Sequence, residues 1–495
     1  MMSLSRRQFL ENLAVGAIAS TSACNRTNAK RPNILFVMTD DHAVGRMSCE
    51  GSRILQTPNL DRLASEGTRF SNAFVTNSLC APSRATVLTG CYSHRNGIKG
   101  NSEAKDSIET MNPAIRTYPE FLREAGYRTG IVGKWHLNQD PVGFEYSCIL
   151  PGQGLYFDPD FIENGERRKM KGYATDITTD LALQFLANTQ ESQPFLLVYQ
   201  HKAPHRPFLP APRHARMFDG VDIPYPDTFD DDYSTRKIAR EAEDMQFEIS
   251  LAGDYKDLPK QLSRAERKRW IYQRFMKDYL AALYGVDENL GRVLKYLDDH
   301  NLAEDTLVIY TSDNGFFLGE HGWYDKRFMY EPSLRVPLLV RYPRLGVSGT
   351  TENRMAANID LAPTILDFAG VSIPEYMQGR TLRPLIEGRP GIDWRKSVYY
   401  TYYENSWAAL QGKGKEALTD PSFQYLTPHR VTPHRGVRTE RYKLIEYYTD
   451  NYWEMFDLEK DPNELRNLYS DPAHSQVASD LQLELNRLRV QYQDT

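Results

Sequence analysis

The sequence predicts an α/β fold: a large, mostly parallel sheet flanked by helices, followed by a smaller antiparallel-sheet subdomain. Three observations predict it. Short apolar runs alternate with helix-like segments through the first three-quarters of the chain. Past about Arg389 the pattern changes to short strands joined by turns. The length of 495 residues exceeds what a single core usually fills.

The elements follow in order. Residues 33–39 (NILFVMT) form an apolar run rich in strand formers, and 60–65 read as a helix ended by Gly67. Residues 118–125 read as a helix with Gly126 as its stop, and 128–132 as a strand. FLLVYQ at 195–200 reads as a strand buried on both faces. A long helix is expected over about 271–300, leading into a strand at 307–311 (LVIYT). A strand at 336–340 and a helix at 361–369 continue the alternation. Residues 207–265 are polar and poorly periodic, and are expected to form an insertion near the mouth of the site. In the last part, 398–403, 436–448 and 452–457 read as strands and 475–492 as a terminal helix. The predicted organisation is therefore an export signal over 1–30, a catalytic domain over 31–389 and a C-terminal subdomain over 390–495.

Composition narrows the function classes. Charged residues make up 25% and hydrophobic residues 41%, an ordinary globular profile. The net charge of −5 and the lack of a basic stripe argue against a nucleic-acid partner. The 30 tyrosines suit sugar-ring stacking, but core packing explains them equally well. Five cysteines are too few for a disulfide scaffold and wrongly spaced for zinc, although one pair could be bridged.

The N-terminus reads as an export signal. Ser5-Arg6-Arg7-Gln8-Phe9-Leu10 resembles a twin-arginine motif, followed by a short apolar run and small residues up to Cys24. Cys24 is a candidate lipid-anchor site, although Thr21 stands where such signals normally have an aliphatic residue. The expected location is periplasmic or extracellular, with or without that anchor. The apolar stretches are too short to span a bilayer.

The chemistry is expected where predicted strands end, because parallel α/β sheets bind ligands beyond the carboxyl ends of their strands. Thr39 is followed by Asp40-Asp41-His42, and Val132 by Gly133-Lys134-Trp135-His136. Gln200 is followed by His201-Lys202-Ala203-Pro204-His205, and Thr311 by Ser312-Asp313-Asn314. Any one of these could be a helix cap or a structural histidine. Four on four strands of one sheet are harder to explain that way. Asp40, Asp41, Asp313 and Asn314 offer only oxygen, which suits calcium or magnesium, and calcium tolerates several carboxylates best. Three clustered carboxylates would need a cation to stay ionised together.

Cys80 opens the run CAPSRATVLTG. Pro82 favours a first helical turn and Gly90 an end, so Cys80 is expected at a helix N-terminus, where an anion is favoured. Alone, it could be an inert buried thiol or a thiol nucleophile of lowered pKa.

With PNILFVMTDD, CAPSRATVLTG, GIVGKWHL, HKAPH, TSDNGFFLGEHGWYDK and RVPLLVRYP in place, the chain resembles the type I sulfatases of the alkaline-phosphatase superfamily. IDLAPTILDFAG and FDLEKDPNELRNL extend the resemblance over about residues 31–468. Asn138 departs from the glycine many members carry there. The resemblance implies an alkaline-phosphatase-like fold and a Cys80 oxidised to formylglycine (3-oxoalanine) by a formylglycine-generating enzyme. The aldehyde hydrates: one hydroxyl attacks sulfur, and deprotonation of the other expels sulfate. It implies one calcium ion on Asp40, Asp41, Asp313, Asn314 and residue 80. It also implies Arg84 beside the diol, Lys134 and Lys326 on sulfate oxygens, His136 as base for sulfate release, and His205, with or without Lys326, as proton donor to the leaving oxygen. His42 reads as structural or supporting, His201 as a supporting or substrate contact, and Glu320 and His321 as residues near the metal segment that could face substrate. The region 319–326 resembles the branch acting on sulfated sugars, so a sulfated saccharide or polysaccharide leads. A small aryl sulfate ester, a phosphonate or phosphodiester hydrolase activity, and a non-catalytic glycan-binding protein are the alternatives.

Overall fold

The computed structural model of the chain describes residues 31–101, 109–404 and 429–494, so the twin-arginine-like motif and Cys24 lie outside the described residues. The main sheet has ten strands: β1 (Asn33–Asp40), β2 (Thr68–Phe70), β3 (Arg128–Lys134), β4 (Tyr146–Leu150), β5 (Asp160–Glu163), β6 (Glu166–Lys169), β7 (Phe195–Pro204), β8 (Thr306–Ser312), β9 (Leu338–Arg341) and β10 (Thr350–Glu352). Their spatial order is β10-β2-β9-β8-β1-β7-β3-β4-β5-β6. The five central strands β8, β1, β7, β3 and β4 are mutually parallel.

Burial on both faces explains why β1 reads as a continuous apolar run. Leu35 and Val37 face one core, while Ile34, Phe36 and Met38 face the other. Helices α1 (Pro58–Ser65), α4 (Ala174–Ala187) and α5 (Arg264–Asp299) cover the first face. Helices α2 (Cys80–Thr89), α3 (Tyr118–Glu124) and α6 (Leu361–Phe368) cover the second. Helix α5 starts at a capping box of Ser263 and Glu266, about two turns before the predicted start.

Two expectations need correcting. The strand predicted at 336–340 exists as β9, but it runs antiparallel to both β8 and β2. Local periodicity records burial and not direction. The segment 207–265 is also more than a polar insertion. Phe208, Phe218, Ile223, Phe229 and Phe247 are buried and join the core around α5, at spacings too irregular to show as a pattern.

The C-terminal sheet has four antiparallel strands in sequence order: β11 (Ser397–Tyr402), β12 (His434–Thr439), β13 (Tyr442–Tyr447) and β14 (Tyr452–Asp457). The stretch read as one strand at 436–448 is thus a hairpin. One face, with Tyr400, Tyr402 and Phe456, packs on Trp323, Phe328 and Tyr330 of the main body. The other, with Tyr399, Leu444 and Met455, is covered by helix α7 (Ser475–Tyr492). Cys49, Cys80, Cys91 and Cys148 are free thiols, so no disulfide joins these four. No helix among the described residues is long and apolar enough to cross a membrane.

Candidate active site

Register brings the acidic residues together. Thr39 of β1 pairs with Ser312 of β8, and the Asp313 amide donates to the Thr39 carbonyl at 3.1 Å. The two chains therefore leave the sheet side by side, carrying Asp40-Asp41 and Asp313-Asn314. Asp41 adopts φ 71°, a left-handed conformation that costs an aspartate about 1–3 kcal/mol. Helix α5 holds that turn: the Tyr279 hydroxyl donates to the Asp41 carbonyl at 2.7 Å and accepts from the Ala43 amide at 3.0 Å. One oxygen from each of Asp40, Asp41 and Asp313 lies within 4.8 Å of the others, and all three residues are buried.

Helix α2 brings residue 80 to this cluster. Cys80 is its first residue, all ten residues are buried, and Gly90 closes it at φ 63°. The Ala81 amide in the first turn donates to Asn101 Oδ1 at 3.1 Å. Cys80 Sγ lies 3.4 Å from Asp40 Oδ1. Burial and the Asp40 charge push the thiol well above its ordinary pKa. An unmodified Cys80 therefore stays protonated, which makes it a poor nucleophile.

One turn later Arg84 reaches under the cluster. Its Nε and Nη2 donate to Asp313 Oδ2 at 3.0 and 2.8 Å, and Nη1 donates to the Lys134 carbonyl at 2.9 Å and to Gln200 Oε1 at 2.7 Å. Lys134, at the end of β3, pairs with Asp40 and donates to Gln153 Oε1 at 2.6 Å. Lys326 donates to Asp41 Oδ1 at 2.6 Å. His205, just past β7, places Nε2 3.9 Å from Asp41 Oδ2 and shares a potential ligand cluster with Asp40 and Cys80. His136 is 9% exposed, and burial followed by Lys134 holds it well below the ordinary histidine range. Every residue of the expected set thus sits at or beside one buried cluster.

Residues outside that set divide. His42 is buried, with Nδ1 2.7 Å from the Tyr310 hydroxyl. His201 is fully buried against Tyr199 and has no hydrogen-bond partner among the described residues, so it faces core rather than substrate. His321 does not face substrate either: it is buried, with Nδ1 2.7 Å from Asp231 Oδ2. Glu320 is half-exposed and pairs with Arg46 at 3.1 Å. Three residues not singled out from the sequence also touch the site. Gln200 and Gln153 hold Arg84 and Lys134, and Lys202 is buried beside them, so that burial and Lys134 push its pKa down to about 7. Lys202 lay inside the HKAPH motif, and Gln200 ends the predicted apolar run, although β7 itself continues to Pro204; Gln153 carried no local signal.

The donor set fits a hard cation. Burial pushes Asp41 up to about 7, with Asp40 and Asp313 adding to the rise against Lys326. Burial also raises Asp40, but Lys134, His205, Arg84 and Lys326 override it and hold that carboxyl well below its usual range. Beside them the buried Asn314 Oδ1 has no hydrogen-bond partner among the described residues, although its amide nitrogen donates to Asp41 Oδ1 at 2.6 Å. An orphaned amide oxygen among three carboxylates is a donor set for an oxygen-seeking divalent ion.

Comparison with known proteins gives concordant matches. The sulfatase family model matches residues 32–371, and a model described as N-sulphoglucosamine sulphohydrolase, C-terminal, matches 409–491. An N-acetylglucosamine-6-O-sulfatase of Bacteroides thetaiotaomicron is 41% identical over 97% of this chain and 90% of its own length. Human N-acetylglucosamine-6-sulfatase is 32% identical over 81% of this chain and 70% of its own length. A solved structure described as a complex with its substrate D-glucosamine-2-N,6-O-disulfate superposes with a TM-score of 0.84 at 42% identity, covering 94% of this chain and 99% of the other. A phosphonate monoester hydrolase of Agrobacterium radiobacter, at 22% identity and TM-score 0.72 over 93% and 96% of the two chains, shares the fold alone.

Proposed function

The chain belongs to the sulfatase family and is a sulfuric ester hydrolase, and from that premise we propose that it removes 6-O-sulfate from glucosamine units of a sulfated glycan. The observation that carries the assignment of the site is the meeting of Cys80 with Asp40, 3.4 Å apart in a buried acidic cluster. The glucosamine preference is supported by the names of the relatives and by the substrate of the solved structure.

In this reading Cys80 is oxidised to formylglycine, whose hydrate supplies one hydroxyl to attack sulfur and a second whose deprotonation releases sulfate. Asp40, Asp41, Asp313 and Asn314 would hold calcium, which withdraws charge from a sulfate oxygen. The residues of the chain do the rest. Lys134 and Lys326 now neutralise Asp40 and Asp41. With a divalent ion on those carboxylates, both ammonium groups become available to the sulfate oxygens. Arg84 keeps Asp313 oriented and offsets the negative charge beneath residue 80. His136 takes up the proton whose loss triggers sulfate release. His205 Nε2 delivers a proton to the leaving sugar oxygen, the step a poor alkoxide leaving group needs. Cations aimed at charge that develops in the transition state usually make the largest catalytic contribution. We place 1–30 as a twin-arginine-type export signal, with oxidation by a formylglycine-generating enzyme before export, 31–389 as the catalytic domain and 390–495 as the C-terminal subdomain.

The test is a panel of saccharides sulfated at O6, O4, O2 or N of the sugar, assayed for released sulfate. Release from 6-O-sulfated glucosamine is expected. Release from another position with none from O6 would overturn the substrate assignment. In the same preparation, mass analysis of tryptic peptide 70–84 should find residue 80 as the aldehyde. A thiol throughout an active sample would overturn the assigned nucleophile.

A further inference from the structure

The geometry points to Asp254 and Lys202 as positioning residues for the sulfatase reaction, acting through the backbone and side chain of Arg206 to orient the ring of His205. This rests on His205 being the proton donor to the leaving oxygen. His205 Nδ1 lies 2.8 Å from the Arg206 carbonyl oxygen. A carbonyl only accepts, so Nδ1 carries the hydrogen of that bond and Nε2 is the nitrogen turned to the acidic cluster, 3.9 Å from Asp41 Oδ2. The orientation of the ring is therefore the orientation of one peptide carbonyl.

That carbonyl is held from two sides. Lys202 Nζ donates to the same oxygen at 3.2 Å, so both of its acceptor positions are used. Lys202 is 3% exposed. The Arg206 guanidinium meets Asp254 in a bidentate fork, Nε and Nη2 each 2.7 Å from a carboxylate oxygen, with a further bond from Nη2 to the Ser250 carbonyl at 3.1 Å. A bidentate Arg–carboxylate pair fixes direction as well as distance. Here it clamps the residue next to the proton donor. The guanidinium also lies over the Tyr324 ring, 5.9 Å from its centre, two residues before Lys326. Asp254 thus links the segment 207–265 to the acid end of the site through its bonds to Arg206. Misplacing a catalytic group by about 1 Å costs on the order of a hundredfold in rate, so a remote clamp of this kind has leverage.

The experiment compares Asp254→Ala, Lys202→Met and His205→Ala on two esters: N-acetylglucosamine 6-sulfate, whose alkoxide needs a proton to leave, and 4-nitrophenyl sulfate, whose phenolate does not. Asp254→Ala should lower kcat on the sugar ester about ten- to a hundred-fold with KM little changed, while aryl turnover stays within about threefold, and Lys202→Met should lower the sugar ester's kcat about tenfold more than the aryl ester's. Equal losses on both esters, or a KM effect with kcat unchanged, would overturn the inference. If Asp254→Ala fails to fold, Asp254→Asn and Lys202→Met carry the same comparison. If His205→Ala itself shows no preference between leaving groups, the reading of His205 fails. If His205→Ala discriminates and both positioning variants do not, the inference alone fails.

Discussion

Arg84 is 1% exposed and charged, so helix α2 can form only if the surroundings satisfy its guanidinium. The partners lie at angles that only a planar fork serves: a carboxylate of β8's end, a carbonyl of β3's end and the amide oxygen of Gln200 at the core of β7. One side chain therefore ties three strands to the helix that carries residue 80. Lysine at this position keeps the charge but cannot reach all three, and a buried carbonyl left without a donor costs about 1–3 kcal/mol. Arg84→Lys is expected to reduce kcat/KM by about 10²- to 10³-fold, the scale seen when one preorganised donor is lost, and to lower the melting temperature. Sulfate release and thermal melting check both. Activity near that of the parent protein would show that charge alone suffices at 84.

At the scale of elements, the C-terminal sheet is docked by a buried ionic seam as well as by its apolar face. Lys443 of β13 is fully buried and its ammonium lies 2.5 Å from Glu464 and 2.9 Å from Glu331, which is shared with Arg438 of β12. Burial pushes Glu464 up to about 7, with Glu331 adding to the rise against Lys443. Lys443→Met removes the cation and leaves two buried carboxylates facing one another. Breaking a buried pair in this way costs about 3–5 kcal/mol, and that is the expected loss of stability in denaturant unfolding followed by tryptophan fluorescence, Trp323 being in the same interface. A loss below about 1 kcal/mol, typical of an exposed pair, would mean the seam contributes nothing to docking. The seam was not legible in the sequence, because its members are scattered between 331 and 464 and none has a periodic context. The strands at 33–40, 195–204 and 306–312 were legible, because burial on both faces forces a continuous apolar run. The residues of the acidic cluster were legible for the same reason: an acid directly after such a run stands out. Gln153, Lys202 and the inward turn of His321 were not, since their roles depend on which loops meet in space.

For the whole molecule, the proposed cation site of Asp40, Asp41, Asp313 and Asn314 would couple ion binding to folding. Without a cation, burial and the neighbouring carboxylates raise Asp41 to about 7, while an unfolded aspartate titrates near 4. Between those values the folded chain holds a proton that the unfolded chain has released. Raising pH through that window therefore lowers the stability of the cation-free protein. Asp313 is raised by burial and by Asp40, in the same direction. Asp40 stays far below the window and does not offset them. A bound divalent ion replaces those protons, and its stabilisation grows with its affinity, which rises as the carboxylates ionise. The melting temperatures of cation-loaded and metal-depleted protein should therefore lie further apart near pH 8 than near pH 5, by several degrees for each kilocalorie or two of linkage. Scanning calorimetry of dialysed protein, with and without calcium at each pH, measures the two gaps directly. Gaps of equal size would mean that no cation displaces protons from Asp41 and Asp313, and the proposed metal site would then fall.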